Sequence, residues 1–599
     1  MSDASRFIQS GTFVHGKRGL RFRLVSEPAV ARRSRGTVIF VPGFAEEMNK
    51  SRRMVARMAR LLAGEGCRVV QRDLSGCGDS SGEFAAASWR EWTDDVAAEL
   101  AEADPHRPLW LWCMRAGALL APLALAARSD ANLLLWQPVL SGAQHLRQFL
   151  RLHAGARIVG ADRVGLATPA QALHSGSAVE VGGYELNPAL AAALEQATFD
   201  LPAPYLGRVV WFETSVDDPP ILSPAAVRSI EQLRQRGVEV TASALPGPPF
   251  WQTAEIEDCD LLLEGTLASL GADAIVARAP EVSRNARLAV PPSNNMCRDD
   301  EPVVEQVLAF TGARGRLWGI LSGAPAGVPR SSTAIVIVVG GPQYRVGSHR
   351  QFVQMARRWA GAGFATLRFD TTGMGDSHGD LVSFENCGQD LCAAIDALCA
   401  ACPQVSRVAL WGLCDGASAA LMFGAGDARV AGIVAANPWV RSDASLAATR
   451  VKHYYIERAL QRAFWAKLLR GGIDWRASFS SLANDVKGAR ADLSAAAGDD
   501  LFQARMARGL AEFRGRVLLI LSGNDLTARE FLHHAGLSPA WRGLLADAKV
   551  SRVDLHDADH TFSQRSWRSE VEDRTLVWLR QLDNAAARVS ASAADARAS

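Results

Sequence analysis

Short, unbroken apolar runs alternate along the chain with stretches of helical period. VIFV (residues 38–41) and IVIVV (335–339) are β-branched and show no polar alternation. Such runs predict strands buried on both faces. Each is followed by an amphipathic stretch that predicts a helix, then by a second strand, CRVVQRD (67–73) or FATLRFD (364–370), and a glycine-rich loop. Another helix and a third apolar strand come next, the latter ending in Leu111-Trp112 or Leu410-Trp411. A polar hairpin opens the series, as in GRLWGILSGAPAG (315–327). Strands and helices alternating over short loops predict an α/β fold with a mainly parallel sheet and helices on both faces.

The same series occurs twice. Residues 37–82 and 334–379 superimpose without a gap, matching Gly43 to Gly340, Met58 to Met355, Gly66 to Gly363, Asp73 to Asp370 and Gly76 to Gly373. The chain therefore reads as a tandem duplication of one domain of about 280 residues. Its 599 residues exceed what one hydrophobic core serves, which agrees with two domains. The pattern predicts a first domain over 1–271, a linker over 272–300 containing Pro-Pro-Ser-Asn-Asn, a second domain over 301–583 and a disordered tail over 584–599.

Charge narrows the function classes. Lys+Arg (65) and Asp+Glu (63) nearly balance, so nothing favours nucleic acid as a partner. The ten cysteines show no repeated pairing, and Cys399-x-x-Cys402 has neither a second pair nor nearby histidines. No metal and no cofactor are expected, and the sparse cysteines suit a reducing cytoplasm. The opening MSDASRFIQSGTF has no basic region followed by an apolar one, and no run reaches the ~20 residues of a membrane span.

Candidate chemistry lies in the second copy. GLCDGAS (412–418) follows the strand that ends in Trp411 and places Cys414 between Gly412 and Gly416. A strand–nucleophile–helix turn lifts one side chain clear of the sheet, and flanking glycines relieve the bend. The helix N-terminus behind it is expected to favour the thiolate. A lone cysteine in a turn is usually structural, so the case depends on partners in the order acid, then histidine. Asp525, in RGRVLLILSGNDLTARE (514–530), and His560, in KVSRVDLHDADHTF (549–562), supply that order. His556 is the rival base and Asp500 the rival acid. An oxyanion site needs two backbone donors; Asp415 N–H is one candidate, and Gly341, in VVGGPQYRVGSHR, the other, since Pro342 cannot donate. Tyr344, Arg345 and His349 on the same loop are candidate substrate-binding residues.

On these motifs the whole chain resembles two tandem α/β-hydrolase domains, each with an inserted helical cap. VVGGPQYRVGSHRQF, RFDTTGMGDS and LWGLCDGAS resemble the exosortase A system-associated hydrolase 1 family. FVPGFAEEMNKSRRM and RDLSGCGDSSGEF in the first copy resemble the companion family, hydrolase 2. Thr371-Thr372 departs from the aromatic–Arg pair expected in that loop. The resemblance implies a bacterial exopolysaccharide and protein-sorting system, with polysaccharide-synthesis proteins or an acyl carrier as partners.

The first copy lacks the chemistry. Trp112 and Trp411 set the register, which puts Cys113 on Gly412, Arg115 on Cys414 and Gly117 on Gly416. The elbow is thus degenerate at Arg115, Glu213 stands near the acid position, and Phe250-Trp251 arrive where a histidine is needed. Either the domain is kept for packing, or Arg115, Glu46, Glu47 and Trp251 hold a polar ligand. In the second copy, residues 438–513 form an insertion. Its stretch 450–472 has helical period, with Ile456, Leu460, Ala463 and Phe464 on one face. That predicts a lid over the nucleophile, with peripheral membrane contact as a compatible role. Two functions follow: an esterase, thioesterase or acyltransferase acting on an acyl ester or thioester, or a non-enzymatic tandem scaffold.

Overall fold

A computed structural model of the chain describes residues 6–29, 35–157, 168–253, 255–271, 303–441 and 501–598. Most of the expected cap, including 450–472 and Asp500, and the expected linker lie outside these residues. Two eight-stranded sheets are present. The first contains β1 (Phe7–His15), β2 (Leu20–Pro28), β3 (Gly36–Val41), β4 (Cys67–Arg72), β5 (Leu109–Met114) and β6 (Asn132–Trp136). A small separate hairpin, β7 (Val179–Val181) and β8 (Tyr184–Leu186), precedes its last strands, β9 (Val209–Ser215) and β10 (Val240–Pro246). The strand order is β1-β2-β4-β3-β5-β6-β9-β10.

The second sheet contains β11 (Val304–Gly312), β12 (Gly315–Gly323), β13 (Thr333–Val338), β14 (Thr366–Phe369), β15 (Arg407–Leu413), β16 (Val430–Ala436), β17 (Arg516–Ser522) and β18 (Val550–Leu555). Its order, β11-β12-β14-β13-β15-β16-β17-β18, repeats the first sheet strand for strand. In both, an antiparallel hairpin joins antiparallel to a parallel body. The runs expected to be buried on both faces are so: every residue of β3 and β13 is buried.

The chain divides by compactness into Met1–Ala409 with Thr561–Ser599, and Leu410–His560. This division does not follow the duplication, because the first copy and the opening of the second are tied within the first unit by a shared seam. The hairpins β1-β2 and β11-β12 enclose Phe13, Phe22, Leu24, Trp318 and Ile320. Gly11 sits there because a Cβ would lie 2.8 Å from both Trp318 and Val307.

The polar part of the seam comes from the two glycine-rich loops. Each folds on its own aspartate: Asp79 N–H donates to Asp73 Oδ2 (2.9 Å), and Asp376 N–H to Asp370 Oδ2 (3.0 Å). Gly78 and Gly375 are required at φ +51° and +49°, since a Cβ at either would strike the aspartate at 2.1 or 2.3 Å. Arg52, from the helix Glu46–Gly64, then bridges Asp73 (2.7 Å) and Asp376 (2.8 Å). Arg345 bridges Asp79 (2.8 Å), Asp370 (2.5 Å) and Asp376 (2.8 Å), and Arg368 reaches Asp79 (2.6 Å) and Glu305 (3.3 Å). Burial pushes the Asp370 carboxyl up to about 6, whereas Arg52 and Arg345 overcome burial at Asp376 and hold it at about 2. The departure at Thr371-Thr372 is accommodated, with Thr372 N–H and Oγ1 both donating to Asp390.

The expected disordered tail is instead helical, in a helix running Arg565–Ala598. No glycine or proline interrupts residues 565–598, and alanine and arginine there favour the helix. Among the described residues, no helix is long and apolar enough to cross a membrane.

Candidate active site

Cys414 sits at the junction of β15 and the helix Asp415–Phe423, with φ 59° and ψ −125°. A bulky residue at positive φ is backbone strain that its surroundings must hold in place. Here Cys414 N–H donates to Ala436 O (3.0 Å), while Cys414 O accepts from Ala417 and Ser418 N–H. Gly412 lets the turn close, because a Cβ there would lie 2.3 Å from Gly416 O. Asp415 N–H points at the sulfur.

Asp525 follows β17 and caps the helix Leu526–Leu537, accepting from Thr527 and Ala528 N–H at 3.1 Å each. Its Oδ2 also accepts from His560 Nδ1 at 2.8 Å. Burial alone would raise this carboxyl, but the His560 hydrogen bond and charge and the two helix N–H groups outweigh it and hold it below its ordinary value. His556, the rival base, is exposed on the turn after β18. Cys414, Asp525 and His560 all belong to the unit Leu410–His560.

The thiol differs from expectation. Burial, reinforced by the charges of Asp415 and Asp525, pushes Cys414 well above the usual cysteine value; the Asp415 N–H and Arg441 pull the other way and do not prevail. The helix N-terminus therefore does not leave a resting thiolate. Loss of the proton needs a base.

Two residues were not read from the sequence. Asn437, at φ 44° after β16, is fully buried. Its Nδ2 donates to His560 O (3.0 Å) and Ser522 Oγ (2.9 Å), and its Oδ1 accepts from Ser522 N–H (2.8 Å). Ser522 Oγ in turn donates to Asp559 O (2.8 Å). A buried amide thus ties the end of the acid's strand to the backbone of the histidine. Its only sequence signal was a polar residue before proline at the end of an apolar strand. The second, Arg441, stacks 5.0 Å from the Trp439 ring centroid, pairs with Glu530 and carries its charge towards the sulfur.

The other candidates fall in the first unit. Gly341 follows β13 with φ 68° and open space beside its α-carbon. Tyr344, Arg345 and His349 are not rim residues, which corrects the substrate-binding expectation. All three are buried, the Arg345 guanidinium is consumed by three carboxylates, and His349 Nε2 lies 2.9 Å from Thr561 O.

In the first copy, Arg115 occupies the elbow with φ 52°. Its guanidinium donates to Glu47 Oε1 (2.9 Å) and lies 5.1 Å from the Trp251 ring centroid. Glu46 does not join them; it accepts from Asn49 Nδ2 and His349 N–H in the seam. Glu213 is not at the acid position in register, and its carboxylate accepts from Ser223 N–H (2.7 Å). Thr214 N–H donates to Gln137 Oε1 as Ser522 N–H does to Asn437, and that register sets exposed Asp217 against Asp525.

The model of the serine aminopeptidase S33 family matches residues 32–173 and 330–530, more than half of the chain and part of each copy. The chain belongs to the S33 family of α/β hydrolases. In this S33 chain the elbow residues are Cys414 and Arg115. No curated protein matches it. Similar solved structures include an esterase of Pyrococcus furiosus, 16% identical, covering 51% of this chain and 100% of its own with a TM-score of 0.33. A serine hydrolase without lid from Xanthomonas campestris is 14% identical over 48% and 97% of the two chains, with a TM-score of 0.30. A proline iminopeptidase of Mycobacterium smegmatis is 13% identical over 47% and 99%, with a TM-score of 0.30.

Proposed function

We propose that the second copy of this S33-family chain is an acyl hydrolase or acyltransferase whose nucleophile is Cys414. The observation that carries the reading is the 2.8 Å bond between His560 Nδ1 and Asp525, in the same compact unit as a cysteine held at a strained elbow. The carboxylate accepts from Nδ1–H and so leaves Nε2 as the base. Nε2 takes the Sγ–H proton as sulfur attacks the carbonyl carbon of an ester or thioester. Asp415 N–H donates to the oxygen that becomes negative. Collapse breaks the bond to the leaving alcohol or thiol, which carries off the proton from Nε2. Water or a hydroxyl acceptor then gives its proton to Nε2 and attacks the acyl-cysteine, and the sulfur is reprotonated as it leaves.

The raised thiol value supports concerted removal of the proton rather than a standing thiolate–imidazolium pair. The first copy is non-catalytic in this reading, because Arg115 stands at its elbow. On the loop motifs alone, the acceptor belongs to an exopolysaccharide or exosortase system of cytoplasmic enzymes.

The test is a panel of short acyl esters and thioesters, with rates followed for the wild type, Cys414→Ala, His560→Ala and Asp525→Asn. Each substitution is expected to lower kcat/KM by about 10²- to 10⁴-fold with the fold intact. Turnover that survives Cys414→Ala unchanged rejects the nucleophile. Iodoacetamide labelling of Cys414 no faster than that of the other cysteines favours the scaffold instead.

A further inference from the structure

The first copy still brings an elbow, an oxyanion-type loop and a covering helix to one place, all within the unit Met1–Ala409. Arg115 keeps the strained bend, at φ 52°, and such strain gathers at ligand sites. Its guanidinium is held from several sides: Nε donates to Glu47 Oε1 (2.9 Å), one terminal nitrogen donates to Gln137 O (3.3 Å), and the Trp251 ring centroid lies 5.1 Å away. The covering helix, Gly142–Arg157, follows β6 as the insertion of the second copy follows β16. Its first turn is fixed at the end of the helix Pro188–Gln196. Gly142 N–H donates to Ala197 O (2.9 Å), and a Cβ at residue 142 would lie 1.7 Å from Leu194 O.

That turn carries His145. The imidazole meets the Phe44 ring edge-on, with centroids 5.7 Å apart, and the charges of Glu47 and Arg115 both act on it. It is 6% exposed, yet neither ring nitrogen has a hydrogen-bond partner among the described residues. Glu47 Oε2 is likewise buried and unpartnered. Buried polar atoms are paired as a rule, and exceptions need a reason. The neighbouring ion pair is not sealed, because the Arg115 and Glu47 side chains keep 16% and 17% of their surface.

Charge decides what fits these atoms. Arg115 and Glu47 cancel. Burial, with the Arg115 charge added, pushes the imidazole below its ordinary value against the pull of Glu47, so the ring is neutral. A neutral imidazole offers one donor and one acceptor, whereas Glu47 Oε2 only accepts. An anion would bring like charge to that oxygen, and a cation would face the guanidinium. Neighbouring hydroxyl groups satisfy both, since each gives one hydrogen bond and accepts others. We propose that the degenerate elbow of the first copy binds a small neutral polyhydroxyl compound, a polyol or a sugar, through Glu47 Oε2 and His145. Arg115 is the positioning residue: it occupies Glu47 Oε1 and leaves Oε2 to the ligand. The site is independent of the assignment of Cys414.

The experiment follows binding of glycerol, erythritol and methyl glucoside to the full chain by saturation-transfer NMR. The imidazole nitrogens of a nitrogen-15 histidine-labelled sample are recorded alongside. His145→Leu identifies the His145 signals and, with Glu47→Gln, tests the site; melting shows that each variant is folded. At least one of the three compounds is expected to bind with a Kd of about 1 mM and to shift the His145 nitrogens. Each variant is expected to weaken that binding by about 10-fold, the worth of one hydrogen bond. Acetate and ethylamine are expected to leave the His145 nitrogens where they are. Glu47→Gln, at a partly open position, serves where His145→Leu does not fold. If none of the three compounds binds, or if binding is unchanged in the folded variants, the site is overturned. If acetate or ethylamine moves the His145 signals and the polyhydroxyl compounds do not, the ligand class is overturned.

Discussion

Arg115 and Cys414 occupy the same bend in the two copies, at φ 52° and 59°. The strain therefore belongs to the bend and does not depend on which of the two residues occupies it. Arg115→Ser restores a hydroxyl but no base, since Phe250 and Trp251 are buried where the histidine is needed. The expected result is no esterase turnover above the Cys414→Ala background, checked in that background with the same ester panel. The positions of Cys414 and Asp525 were legible because each follows an apolar strand at the turn into a helix, and the Asp525–His560 pairing because both stand beyond neighbouring strand ends. Arg345 was misread for a physical reason. Its partners, Asp79, Asp370 and Asp376, come from loops of both copies, and no local pattern announces that a guanidinium will be neutralised by segments so far apart.

At the scale of elements, strands and glycine-rich loops followed the apolar pattern closely, because burial on both faces leaves its mark in every residue of β3 and β13. The end of the final helix did not: Val571, Trp578, Leu579 and Leu582 form a buried stripe, whereas residues 584–598 carry none to be read. The hairpin β1-β2 offers a pH test. His378 lies against Phe7, with ring centroids 5.6 Å apart, and its Nε2 donates to Gln9. Burial, with the charges of Arg60 and Arg316 added, pushes its imidazole down to about 3, against the pull of Asp376. The folded histidine thus stays neutral while the unfolded chain binds a proton near pH 6.5. Its contribution is complete above pH 6.5 and is lost as pH falls towards 3, at a slope of at most about 1.4 kcal/mol per pH unit. His378→Gln is expected to remove that part of the slope, read as the difference in urea midpoints between pH 7 and pH 4.5.

For the whole molecule, the duplication was plain in the sequence, but the packing of the copies was not, because a seam of ion pairs has no periodicity. Removal of Arg52 leaves Asp73 and Asp376 buried with less cation around them. Arg52→Met is expected to cost about 3–5 kcal/mol, measured by chemical denaturation. The double variant Arg52→Met with Asp376→Asn is expected to recover part of that loss.

The traffic of charge across the seam has a bearing on how such a gene can change. Each half lends the other a counterion: Arg52 goes one way to Asp376, and Arg345 returns to Asp79. A deletion that shed the first half would take Arg52 from Asp376 and leave Arg345 without Asp79. Inheritance of the two halves is then coupled, because each keeps charges that the other neutralises.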